Sequence, residues 1–231
     1  MFDLSLCGRA MVVFNFLPSK TLHPSRNGDY ASSAYLAALA AVPASAAVWH
    51  RRWSHLILQK EDLLDVPVTD VAAKGLPIAV MQGDALTMLV RRIGVVLCAP
   101  RLRYAISGEA VRALCAALGG DVLRWIRDGR RLHPGLAGEM FRDADEALHN
   151  VTLAGHAALY TAFEQADPAV ARRLFLKLPP LPQVDATPDA AGCPGAAAGT
   201  IDREVATAID NDVAMGLVTA VQAASAIGGE E

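Results

Sequence analysis

DALTMLVRRIGVVLCAP, residues 84–100, decides the fold class. Its apolar side chains Leu86, Leu89, Val90, Ile93 and Leu97 recur at steps of three and four, the spacing of one helix face. Asp84 is placed to cap the start, and Pro100, which has no N–H to give, to stop the run. Strict apolar–polar alternation over a strand length is almost nowhere to be found in the chain, so the spacing predicts an all-α protein.

Upstream, Trp49, Trp53, Leu56 and Ile57 fall at i, i+4, i+7 and i+8, and Tyr35, Leu36, Leu39 and Val42 form a shorter helical run before Pro43. Residues 61–80, with Pro67, Gly75 and Pro77, read as a connection. The opening around Val12-Val13-Phe14-Asn15-Phe16 leans towards β and meets Pro18 and His23-Pro24, so an extended or irregular segment is expected over 1–30.

Downstream, Ser107 is a candidate N-cap for a helix through Leu118, and Asp121 for one through Ile126. A longer helix is expected from about Ala137 to Ala166, and Asp167-Pro168 opens a short one. Residues 179–199 are rich in Pro, Ala and Gly, the composition of a flexible linker. Thr200 then caps a final helix carrying Val205, Ile209, Val213, Leu217 and Val221. The expected layout is an opening segment (1–30), a helical body (31–178), a linker (179–199) and a C-terminal helix (200–231). The class is an irregular multi-helix bundle with little or no sheet.

Apolar residues make up 53% of the 231 and charged ones 19%, which excludes a disordered chain. The net charge of −3 gives no general case for a polyanionic partner, but the charge is unevenly spread. Residues 91–133 hold nine arginines against Glu109, Asp121 and Asp128, whereas 185–231 hold eight carboxylates against Arg203. Cys7, Cys98, Cys115 and Cys193 form no CxxC pair and read as reduced thiols. The start lacks the basic n-region and apolar core of a secretory leader. The uncharged stretch 30–49 is broken by serines and Pro43 and reads as core helix, so a cytoplasmic protein is expected.

No phosphate loop, nucleophile elbow or H-E-x-x-H helix is present. Glu146, His149 and His156 share a helix face, but one Glu-x-x-His pair is half of what a di-iron bundle needs, and a packed histidine is the better reading of His156. His50 and His55, five apart, point to different faces. The residues point to no cofactor, no metal and no catalytic group. The arginine set fits a protein partner, because the guanidinium fork pairs bidentately with carboxylates. A helical nucleic-acid-binding regulator using the 91–131 arginines is the alternative.

Three stretches carry a resemblance. FNFLPSKTLHP at 14–24 has an aromatic residue, a proline two positions on, and a Leu-His pair; MLVRRIGVVL at 88–97 has an Arg-Ile-Gly core; ARRLFLKLP at 171–179 is a basic-apolar run into proline. In this order and spacing they resemble the SctK family of type III secretion proteins. The resemblance implies a non-catalytic, cytoplasmic bacterial adaptor of the sorting platform, peripheral at the inner-membrane base of the secretion apparatus, without membrane insertion and without nucleic acid. Its partners would be the SctQ-type platform protein and the cytoplasmic domain of the SctD-type ring protein, and indirectly the stator and ATPase. Phe14, Phe16, Pro18, His23, Pro24 and Gly94 would be structural positions of the family motifs. Arg92, Arg103, Arg127 and Arg131 are the expected contacts to an acidic partner.

Overall fold

The computed structural model describes residues 4–41, 46–103, 107–180 and 209–227. Among them the regular structure is helical and none is strand, as the spacing predicts. The chain divides into two compact units, residues 1–86 with 166–180, and residues 87–165 with 181–231.

In the first unit the opening differs from expectation. Leu4–Phe16 is a helix, α1, followed by 3-10 turns at Pro18–Lys20 and Pro24–Arg26. The β-branched Val12 and Val13 are weak opponents of helix, and packing outweighs them: Phe14 and Asn15 are buried on the inner face of α1. The Asn15 amide binds the backbone of Val68 from both sides, donating to its carbonyl at 2.9 Å and accepting its N–H at 2.8 Å. A single helical turn α2 (Asn27–Tyr30), α3 (Ser33–Ala41) and α4 (Ala46–Lys60) follow. Pro18 and Ser19 are buried beside α4, where Ser19 Oγ lies 2.9 Å from His50 Nδ1 and 2.7 Å from Ser54 Oγ. Residues 61–80 form the expected connection, with one short helix, α5 (Leu76–Ala79).

The second unit is built around α6 (Gly83–Leu102), whose first residues belong to the first unit, and α9 (Ala144–Phe163). A Cβ on Gly94 would fall on the Val151 carbonyl, and one on Gly155 on the Val90 carbonyl. These two pairings run in opposite senses along the chain, so α6 and α9 are antiparallel and touch backbone to backbone. Pro100 does not stop α6, which runs two residues further. Near the proline, the Leu136 N–H donates to the Leu97 carbonyl at 2.6 Å, and Gly135, at φ 90°, lies against the Pro100 ring. Asp84 sits in the first turn of α6 instead of capping it, where its charge still suits the helix dipole.

α7 (Gly108–Leu118) has the expected cap, with Ser107 Oγ accepting from the Ala110 N–H. α9 begins seven residues later than expected. Asp143 caps it by accepting from the Glu146 N–H, and Glu146 reaches back to the Arg142 N–H. Gly135 and Gly138, both at positive φ, keep 135–138 out of helix. α10 (Pro168–Phe175), in the first unit, starts at the expected Asp167-Pro168. The last helix, α11 (Asn211–Ile227), packs on α9 through Ala214, Leu217, Val218 and Val221, and the Asn211 amide donates to the Thr161 carbonyl. Pro179 and Pro180 apart, the expected linker lies outside the described residues, as do Thr200 and Val205.

Candidate functional site: a basic face on one short helix

α8 (Val122–Asp128) and the 3-10 turn Gly129–Arg131 carry the densest positive charge in the second unit. Helical periodicity divides VLRWIRD cleanly. Val122, Trp125 and Ile126 are buried, while Leu123, Arg124 and Arg127 face solvent together with Arg130 and Arg131. Gly129 is buried and lets the turn close on Val96 of α6.

Two of the four expected contact arginines are what fix α8 in place. Arg92 of α6 forms an ion pair with Asp121 at 2.8 Å, and its guanidinium lies over the Trp125 ring. The same carboxylate accepts from Trp125 Nε1 at 3.0 Å. Asp121 is therefore at the N-cap position of α8, but its side chain is spent on Arg92 and Trp125 and makes no cap hydrogen bond. Arg103 donates to the Ile126 carbonyl at 3.0 Å. Arg92 and Arg103 thus position the face, and Arg127 and Arg131 are on it.

Arg127 is exposed and forms two hydrogen bonds with neighbouring Asp128, at 3.0 and 3.3 Å. That contact holds the Asp128 carboxyl below its ordinary value, with smaller help from the charges of Arg131 and Arg124. Four arginines against one aspartate in ten residues leave this surface positive. Arg124 and Arg130 belong to it as fully as the two residues the sequence singled out. Their outward register relative to Trp125 was the available signal.

The other positions singled out in the sequence are spread through the molecule. Phe14 is buried, but Phe16 is 51% exposed and Pro24 is also at the surface. His23 accepts the Ser25 N–H and caps the second 3-10 turn, while its own N–H donates to the Leu176 carbonyl. Partial burial, with a smaller contribution from Arg26, lowers its pKa. His50 is also lowered by burial and the Lys20 charge, and stacks on Trp53, whereas His55 is exposed. Glu146 serves the cap of α9, His149 is exposed and His156 is buried. Among the described residues no three metal-capable side chains converge. A cavity of about 530 Å³ beside α7 is lined by apolar Leu102, Ala110, Ala113, Leu114, Met140, Phe141 and Ala144 and by polar Arg101, Ser107, Glu109, Arg142 and Asp143.

The basic residues of the 171–179 stretch turn inward. Arg172 donates to the Glu61 carbonyl at 2.8 Å and Arg173 to that of Leu63 at 3.1 Å. Lys177 donates to the carbonyls of Ala79 and Met81 at 2.7 and 3.0 Å, with its ammonium over the Phe14 ring. Burial brings the Lys177 pKa down to about 8.

The molecule is thus a helical protein that presents a basic, arginine-rich face on a short helix braced by two further arginines. Over residues 11–197 the chain matches the family model described as YOP proteins translocation protein K (YscK), and it belongs to that family, the SctK family of type III secretion proteins. The match spans all three resembling stretches. No curated protein and no solved structure matches the chain.

Proposed function

We propose that this protein is a non-catalytic adaptor of the type III secretion sorting platform. It joins the cytoplasmic domain of the SctD-type inner-membrane ring protein to the SctQ-type platform protein, and through the latter the stator and ATPase. It works at the cytoplasmic base of the apparatus; among the described residues no helix is long and apolar enough to cross a membrane. The observation that carries the reading is the braced basic face of α8 in a chain of this family. Arginines held on a fixed backbone meet carboxylates bidentately and lose little conformational freedom in doing so. Exposed Leu123 adds an apolar contact at the edge of the face.

The test is a titration of the full chain against purified SctQ-type and SctD-type partners from the same organism. Arg127→Glu with Arg131→Glu is expected to lower affinity for one partner at least tenfold, while the variant melts like the parent, as for exposed sites. Unchanged affinity for both partners in the folded variant removes the face from the proposal. Salt-dependent binding to duplex DNA, lost in the same variant, would favour the nucleic-acid reading instead.

A further inference from the structure

An adaptor needs a second surface, and the first unit offers one of opposite charge. Between α4 and α5 the chain exposes Leu64, Val66 and Val71, at 39%, 50% and 72%. Asp62, Asp65 and Asp70 are interleaved with them and also exposed. Three exposed apolar side chains within eight residues are more than the scattered single ones of an ordinary surface.

The loop is held in shape from beneath. Leu63 and Val68 are buried and anchor it at two points. Asn15 binds both backbone groups of Val68, Arg173 holds the Leu63 carbonyl, and Arg172 the Glu61 carbonyl. A loop fixed in this way orders little on binding, which removes much of the usual entropic cost.

Its first turn also departs from local preference. The Leu63 N–H returns to the Leu58 carbonyl at 2.7 Å and the Asp62 N–H to that of Gln59, a Schellman end to α4. That end places Asp62 at φ 55°, a position where glycine is the usual residue. An exposed carboxylate stands there instead. Sites where a local rule is broken are where function is expected.

Resting on the adaptor reading, we propose that residues 62–71 form a second docking surface, which seats its exposed leucine and valines in an apolar cleft rimmed by lysine or arginine on a partner protein. The three aspartates select for basic charge, so anionic lipid and nucleic acid are excluded as occupants. The cleft belongs to the platform or ring partner that does not take the basic face of α8, so opposite charges sort the two partners between the two surfaces.

The experiment uses the full chain and the same two partners. Val66→Ser with Val71→Ser, and separately Asp65→Lys, change exposed side chains that make no structural contact described above. Each is expected to melt like the parent and to lose at least tenfold in affinity for one partner only. Arg127→Glu with Arg131→Glu is expected to spare that partner and weaken the other. The proposal is overturned if the loop variants bind both partners like the parent, or lose both alike. It is overturned too if sedimentation shows the loop mediating self-association, with partner binding intact, since the occupant would then be a second copy. If the parent binds neither partner, the adaptor reading falls and the loop's assigned occupant with it. That result is distinct from failure of the loop variants alone.

Discussion

The two units are secured by opposite means. In the second, α6 and α9 meet where side chains are absent, Gly94 under Val151 and Gly155 under Val90. In the first, α10 and the turn after it use the longest side chains available, with Arg172 and Arg173 reaching carbonyls of the α4–α5 connection and Lys177 those at the end of α5 and just beyond it. The reason is the type of backbone being secured. Helices satisfy their own amide groups and gain from approaching closely, because dispersion rewards near contact. An irregular connection leaves carbonyls unpaired, and once buried they need donors brought to them.

The contrast is tested most severely at Gly94. Gly94→Val drives methyl groups into the Val151 carbonyl and forces two helices apart, so it should cost ~3 kcal/mol or more, measured by urea unfolding. A variant that unfolds at the parent's midpoint would show that the helices do not touch there. The first unit should instead be sensitive to losing a side chain. Lys177→Ala leaves the Ala79 and Met81 carbonyls without their donor and opens a cavity, at a cost of ~2–4 kcal/mol.

Lys177 also gives the contrast a pH signature. Its pKa falls from 10.5 in the unfolded chain to about 8 in the fold, because burial disfavours the ammonium. Between these values the unfolded chain holds more protons, so the stability of the parent should rise with pH, by up to about 3 kcal/mol across the window. Tyr30 acts the other way above pH 10, since burial and its hydrogen bond to Glu61 raise its pKa. The rise is therefore read between pH 8 and 10 by denaturant unfolding, and it should be missing in Lys177→Ala. A parent whose stability does not rise over that range would place the ammonium in solvent.

The smallest expected effect sharpens the comparison at the loop between α4 and α5. Asp62→Gly relieves a left-handed aspartate but adds freedom to the unfolded chain, so a net gain of no more than ~1 kcal/mol is expected in thermal unfolding. A loss would mean that the Asp62 carboxylate is itself structural, and its reading as a contact group would have to be dropped.

Much of this could be read from local pattern, and the failures share a cause. The caps at Ser107 and Asp167 were visible because a cap is a matter of three residues. The stripe on α4 was drawn through Leu56, yet Leu56 is half exposed while Trp53, Ser54, Ile57 and Leu58 are buried. Spacing identifies a helix but does not say which flank its neighbours cover. Val213 of α11 failed in the same way, whereas Leu217 and Val221 are buried as expected; Ile209 is buried too, but it precedes the helix instead of lying in it. Gly155 was overlooked although a glycine within a helix, costing ~1 kcal/mol relative to alanine, hints at a packing reason. Arg92 and Arg127 looked alike in the sequence because both lie on helices beside apolar residues. Asp121, 29 residues from Arg92, separates their roles.

The sequence by itself determined the helical class, the order of the three family stretches, and those helix ends set by a cap or proline within reach. All of these depend on residues a few positions apart. Only the tertiary structure decided that the opening segment is helical, and which arginines brace α8 and which face solvent. Those outcomes turn on contacts such as Asn15 with Val68 and Arg92 with Asp121, between residues tens of positions apart. Folding brings such residues together, and no local periodicity encodes the pairing.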